Sequence, residues 1–344
     1  MKPQVTIIVS PRERFSYARE SLESIYTNTN YPFSLVYIDG NSPGYVRNYL
    51  QKKSQEENFD LIRTEEYLSP NQARNIGLAA VKTKYLVFID NDVYVEPGWL
   101  EKLVNCAEET DSTVVCPLVC IGQEHYSKIH LAGGEARIVI EAKDEQIRRK
   151  VHEKHYFVNR PVADVKNQLQ RRQCEFAEFH CMLVRTEIFQ TIGQLDRKLL
   201  STREHIDFCL TVTNAGGTIY CEPDSVVTYV HNSGFELSDL PYFMLRWSDA
   251  WEVKSLKHFR KKWDVNKKDK YFKKRYKRLG HRRHQAFLRP LVRKLSFGGY
   301  YATWLEKLLV SGERQLNQYI SDRYFAKNSP KMSSTVPRSP FPVP

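Results

Sequence analysis

Tyr85-Leu86-Val87-Phe88-Ile89-Asp90-Asn91-Asp92 decides the reading of this chain. Five consecutive apolar residues stop at two carboxylates flanking an amide. A short apolar run without alternation is the pattern of a strand buried on both faces, as in a parallel sheet. Two carboxylates on a tight turn at its end suit a hard divalent cation that keeps positions open for phosphate oxygens. By itself Asp-x-Asp is also an ordinary solvated turn, because Asp and Asn are common turn formers. Its place at the carboxyl end of a buried strand is what favours chemistry.

Working outward, the same alternation recurs on both sides. Upstream lie a Val5–Ser10 strand, a Ser16–Thr29 helix, a Phe33–Asp39 strand and a Pro43–Lys53 helix. A short Leu61–Arg63 strand follows, then a helix that opens at Pro70 and carries Ala73, Ile76, Gly77 and Ala80. Downstream, Pro97 opens a helix through Trp99, Leu100, Leu103 and Val104, and Thr113–Cys116 reads as another strand. Strands alternating with helices of this length predict an α/β fold, a mostly parallel Rossmann-like sheet flanked by helices. In such sheets ligands bind beyond the carboxyl ends of the strands. Those ends carry Ser10-Pro11-Arg12-Glu13-Arg14, Asp39-Gly40-Asn41-Ser42 and Asp90-Asn91-Asp92, so acidic groups converge on one edge. No Gly-x-Gly-x-x-Gly follows the first strand and no Walker loop is present, which argues against dinucleotide oxidoreductases and P-loop NTPases.

The remainder is less uniform. Ile121–Arg172 is charged and shows no clean period, an irregular excursion. Arg203–Asn214 reads as a helix opening on Arg203-Glu204-His205-Ile206-Asp207, followed by strands at Thr218–Tyr220 and Ser225–His231. The Glu204 motif offers groups that accept a hydroxyl proton, and His231 is placed to complete a metal shell; a charged first turn complementing the helix dipole is the plainer reading. Leu240–His258 is expected to be helical, as is Tyr300–Tyr324 with an apolar side of Tyr301, Trp304, Leu305 and Leu308. Residues 327–344, rich in Pro and Ser, read as a disordered tail.

At 344 residues and 41% hydrophobic content the chain can bury a substantial core. Its net charge of +12 is not evenly spread. Residues 253–294 hold 18 Lys/Arg and two acids, Asp264 and Asp269. This basic block, with Trp263, Tyr271 and Phe272 interleaved, suits an anionic membrane surface, a polyanion such as nucleic acid or acidic polysaccharide, or simply a solvated helical face. The seven cysteines lack metal-like spacing and are expected as reduced, buried small hydrophobes. No membrane span or export signal is evident, so the expected location is cytoplasmic, or peripheral at the inner face of a membrane.

The chain resembles the family 2 glycosyltransferases of the GT-A type, which invert the anomeric carbon. The resemblance rests on Val5-Thr6-Ile7-Ile8-Val9, Tyr37–Ser42, Ala73-Arg74-Asn75-Ile76-Gly77 and Tyr85–Asp92. Further on it includes Cys181–Arg185, Gly193-Gln194-Leu195-Asp196 and Glu204–Leu210. It covers about residues 4–232 and implies a glycosyltransferase domain over 1–232. Residues 1–116 would form the nucleotide-binding half and 117–232 the acceptor half, with a helical basic extension at 233–326. It further implies a nucleotide-sugar donor, UDP-linked by preference, and a glycan or lipid-linked acceptor. In its terms Pro11, Arg14, Asp39, Arg74, Asp90 and Asn91 face the nucleotide. Asp90, Asp92 and His231 hold Mn2+ or Mg2+, and Glu204, His205 and Asp207 compete for the role of base, with Glu204 favoured. The first-strand ending and the Glu204-His205 pair depart from the family's usual Pro-Thr-x-Asn-Arg and Glu-Asp. A sugar nucleotidyltransferase or a non-catalytic polyanion binder on the same scaffold are the alternatives. The acidic cluster at the sheet edge argues against a nucleic-acid grip.

Overall fold

The computed structural model describes residues 3–122, 124–143, 146–230, 236–267, 269–296, 302–328 and 341–342. The predicted alternation is present. Strands β1 (Val5–Ser10), β2 (Phe33–Gly40), β3 (Asp60–Thr64) and β4 (Tyr85–Asp90) alternate with helices α1 (Ala18–Asn28), α2 (Gly44–Glu56) and α3 (Pro70–Leu78). After β5 (Val93–Val95) come α4 (Trp99–Thr110), β6 (Val114–Ile121) and β7 (Ile129–Leu131). The long strands β8 (Gly134–Lys143) and β9 (Gln146–His155) follow, then α5 (Val162–Val165), β10 (Arg172–Cys174), β11 (Cys181–Arg185) and α6 (Ile188–Ile192). Helix α7 (Glu204–Asn214) and β12 (Ile219–Tyr229) complete the sheet. The extension contributes α8 (Leu240–Arg246), α9 (Asp249–Lys262), α10 (Lys270–Tyr276), α11 (His281–Arg283), α12 (Arg289–Leu295) and α13 (Thr303–Asn328).

The main sheet runs β10-β12-β6-β11-β4-β1-β2-β3, with β5 on β12 and β7 on β6. Strands β1, β2, β3 and β4 are mutually parallel where they pair, whereas β11 lies antiparallel between β4 and β6. The register Ser10 to Asp90 places the end of β1 beside the acidic turn. Val5–Ser10 and Tyr85–Asp90 are buried throughout, as double coverage by helices requires. Helix α3 is seated so closely on β1 that a Cβ at Gly77 would lie 2.3 Å from Ile8 Cγ2. It is pinned by Asn75, whose amide exchanges hydrogen bonds with the Leu195 backbone at 2.8 and 2.9 Å. Two of the sequence blocks that carry the resemblance therefore meet in space.

Several expectations change. Ile121–Arg172 is not irregular: β8 and β9 form a ten-residue antiparallel ribbon. Charged residues on both faces hid its alternation, and Ile140 and Ile147 remain exposed. The two strands expected after Gly217 are one, β12, with an irregularity between Glu222 and Val226. The helix expected over Leu240–His258 is two, broken at Trp247-Ser248, where Ser248 Oγ caps α9 by accepting from Trp251 N at 3.2 Å. His231 lies outside the described residues. Of the tail expected to be disordered, Phe341 and Pro342 are described and packed: Gln194 N donates to Pro342 O at 2.9 Å and Phe341 rests against Phe189.

The extension shares the main core, to which Tyr242, Phe259 and Phe272 belong. It also clamps the loop after β1. Glu13 accepts from Tyr229 Oη at 2.5 Å, Trp247 Nε1 at 2.9 Å and Arg282 Nη2 at 2.9 Å. Asp239 accepts from Phe15 N at 2.7 Å, and Tyr242 Oη donates to Pro11 O at 3.2 Å. All seven cysteines are free and buried, and no described helix is long and apolar enough to cross a membrane.

Candidate active site

A cavity of about 260 Å3 opens where the carboxyl end of β4 meets α7 and the extension. The loop after β1, α3 and the end of β4 contribute Arg12, Arg74 and Asp90; β7 and the segment before β11 contribute His130 and Glu178. Arg203, Glu204 and His205 enter at the start of α7, and Arg246, Arg275, Arg278 and Arg282 come from the extension. Guanidiniums so outnumber carboxylates that the cavity favours an anionic ligand.

Glu204 occupies the first position of α7, where the helix N-terminus favours a negative charge. Its Oε1 accepts from Arg246 Nη2 at 3.1 Å, while its Oε2 is buried without a hydrogen-bond partner. Burial alone raises its pKa, but Arg246, His205 and Arg74 outweigh that and hold the carboxyl below its ordinary value. The neighbouring His205 is driven down to about 4, chiefly by burial, so its imidazole is neutral near pH 7. Arg203, preceding both, adopts a left-handed backbone with φ of 75° and is held by Glu153 at 3.0 Å. Asp207 is set apart. Its carboxylate accepts from Lys262 Nζ at 2.7 Å and Trp263 Nε1 at 2.8 Å, and it does not line the cavity.

Of the residues expected to face a nucleotide, Arg74 and Asp90 reach this cavity; Pro11, Arg14, Asp39 and Asn91 do not. Asp39 is buried, already bonded to Arg63 and to the Ser42 amide at 2.8 Å. Asn91 holds the β1 loop, accepting from Arg12 N at 3.1 Å and donating to Arg14 O at 2.9 Å. Arg74 Nη2 donates to Asp90 Oδ1 at 3.0 Å, with Phe179 under its guanidinium at 3.9 Å. Arg12 Nη1 donates to Asp90 Oδ2 at 3.1 Å.

This geometry tests the expected Mn2+ or Mg2+ site. Asp90 has access to the cavity, but Arg12 and Arg74 already engage both of its oxygens. Asp92 has two oxygens without hydrogen-bond partners, but it is fully buried, off the cavity wall, with Arg14 Nε at 3.7 Å. Burial, opposed by Arg14 and Arg12, pushes the Asp92 carboxyl up to about 7. In this arrangement Asp90 and Asp92 do not fit a shared ion. His130, Glu178 and His180, by contrast, bring ligand atoms within 4.8 Å of one another beside Asp90. Sequence reasoning missed this trio, as it missed Arg246 and Arg282. The available signal was Glu178-Phe179-His180, a polar pair inside the otherwise apolar approach to β11.

A mostly parallel sheet with an antiparallel strand set into it, flanked by helices, is the fold shared with GT-A glycosyltransferases. A crystal structure of GalNAc-T7 with UDP, GalNAc and Mn2+ superposes with a TM-score of 0.50 at 18% identity, covering 82% of this chain and 58% of that one. A sequence model described as glycosyl transferase family 2 matches residues 6–193, more than half the chain, and the protein belongs to that family. Similar proteins include an uncharacterized glycosyltransferase of Haemophilus influenzae, 28% identical over 110 residues, 32% of this chain and 34% of that protein. The pre-mycofactocin glycosyltransferase of Mycobacterium tuberculosis is 25% identical over 164 residues, 48% of this chain and 30% of its own. The matches span about a third of the length of these curated relatives.

Proposed function

We propose that this protein transfers a sugar from a nucleoside diphosphate donor, UDP-linked by preference, to a hydroxyl of a glycan or lipid-linked glycan, with inversion. The observation that carries the reading is Glu204, a residue of the guanidinium-lined cavity whose buried Oε2 has no hydrogen-bond partner. The acceptor hydroxyl passes its proton to Oε2 as its oxygen bonds the anomeric carbon. The bond to the diphosphate breaks with its electron pair, and the charge that develops there meets Arg12, Arg74 and the arginines of the extension. Arg246 keeps Glu204 ionised and in place through the other oxygen. His205, neutral and adjacent, shapes the acceptor side, and Asp207 anchors α7 to α9. Family membership supports glycosyl transfer. The Mn2+ or Mg2+ expected on Asp90 and Asp92 has no part in these steps, because the residues there do not fit it.

The test is product release across a panel of nucleotide sugars with and without acceptor. Nucleoside diphosphate is expected; pyrophosphate released from a nucleoside triphosphate would replace this reading with nucleotidyl transfer. We further propose that the basic helices α9 to α12, with exposed Leu291, Leu295, Trp304 and Leu308 nearby in sequence, rest on an anionic membrane surface that carries the acceptor.

A further inference from the structure

We propose that His130, Glu178 and His180 form a divalent-ion site on the cavity wall, suited to Zn2+ and ions of similar preference. His130 Nε2 lies 2.8 Å and His180 Nε2 3.6 Å from Glu178 Oε2, and the two imidazoles meet edge to face at 5.1 Å. Two imidazoles and one carboxylate are a donor set of catalytic zinc sites, in which a fourth position stays open. Imidazole nitrogen also favours zinc, cobalt or nickel over magnesium, which prefers oxygen. The set is carried by ordered structure. His130 lies on β7, and His180, directly before β11, accepts through its carbonyl from Asp90 N at 3.1 Å. His130 and Glu178 line the cavity, which supplies a route of entry.

The trio already has a cationic neighbour. Arg12 Nη1 stands 2.7 and 2.8 Å from the ring nitrogens of His180 and 3.1 Å from Asp90 Oδ2, with its guanidinium over Tyr229. An ion on the trio would displace this guanidinium from His180 while Asp90 and Tyr229 still hold it. Such an ion would stand beside Asp90 with its open position available to a ligand oxygen in the cavity. It would differ from an ion on the acidic turn in donor set and place.

Chelator-treated protein titrated with Zn2+ by calorimetry, and with Co2+ followed by its visible d–d absorption, decides the matter without any substrate. Ion binding and sugar transfer are thus judged separately, and either can fail alone. The expectation is a single ion per chain with the intense absorption of a four- or five-coordinate site. His130→Ala and Glu178→Gln should each weaken binding roughly tenfold or more, while Asp92→Asn leaves it unchanged. Because His180 is fully buried, the partly exposed His130 carries the test, with circular dichroism confirming each variant's fold. Absence of binding, or binding weakened by Asp92→Asn but not by His130→Ala, would overturn the proposal.

Discussion

Glu204 and Asp207 lie three residues apart on α7, a spacing that puts both carboxylates on neighbouring parts of one helical face. Periodicity alone could not separate them. Packing does: α9 brings Lys262 and Trp263 onto Asp207, while Glu204 lines the cavity and keeps one buried oxygen unbonded. Glu204→Gln is expected to slow transfer by roughly 10²–10⁴-fold, the usual worth of general-base catalysis. Asp207→Asn should act mainly by loosening the α7–α9 contact, read as a lower melting temperature. The pH-rate profile should show no inflection near the ordinary histidine value from His205, which is neutral above about 4. Its acid limb belongs to Glu204 and should fall below the ordinary carboxylate range, since activity is lost as that lowered group protonates. Glu153 makes the corresponding stability prediction. Burial opposes its ionisation, but Arg203, His155 and Arg275 prevail and hold it at about 2, below its ordinary 4.5. A group depressed in the folded state contributes stability that is complete above its unfolded value and disappears as pH falls through the folded one. Acid unfolding should therefore be steeper between 4.5 and 2 in the native protein than in Glu153→Gln.

At the scale of elements, the first half of the fold was legible because β1, β2, β4 and β6 are largely buried runs and α1, α2 and α4 each have one apolar side. The ribbon β8–β9 was not, since the face that packs Ala136, Ile138 and Val151 against the core also carries Glu153 and Arg149, so no clean apolar period marks it. Helix α3 shows how little room such packing leaves. The methyl added by Gly77→Ala would sit 2.3 Å from Ile8 Cγ2, so α3 must move off β1 or Ile8 must leave its rotamer. Overpacking of this kind typically costs about 1–3 kcal/mol. Chemical denaturation should show that loss, and an unchanged midpoint would mean that the α3–β1 contact yields freely.

For the whole molecule, the extension packs into the same core as the sheet. Its Tyr242, Trp247 and Arg282 seal the loop after β1, and its arginines form one wall of the cavity. Part of the basic surplus is accordingly internal: Arg283 is buried against Asp249 and Glu313. Other basic residues are exposed, among them Lys273, Lys274 and Lys277. If these meet an anionic bilayer, each contributes about 1 kcal/mol near the surface. The native protein should then float with phosphatidylserine vesicles, and the charge-reversed Lys273→Glu/Lys274→Glu/Lys277→Glu form should remain below. Equal flotation of the two would remove the membrane from the account.

What the amino-acid order determined alone was the alternation of buried strands and one-sided helices, and with it the sheet edge where polar groups collect. That information is local, because burial of a strand or helix face leaves a period in the residues themselves. Tertiary structure decided which polar groups share one space. His130, Glu178 and His180 are up to fifty residues apart, and Arg246 meets Glu204 across forty-two, so no spacing rule joins them. It also decided which carboxylates are already neutralised: Arg12, Arg14 and Arg74 reach the acidic turn only because β1, α3 and β4 pack side by side. A charge's partners are set by distance through space, and distance through space is what the fold supplies.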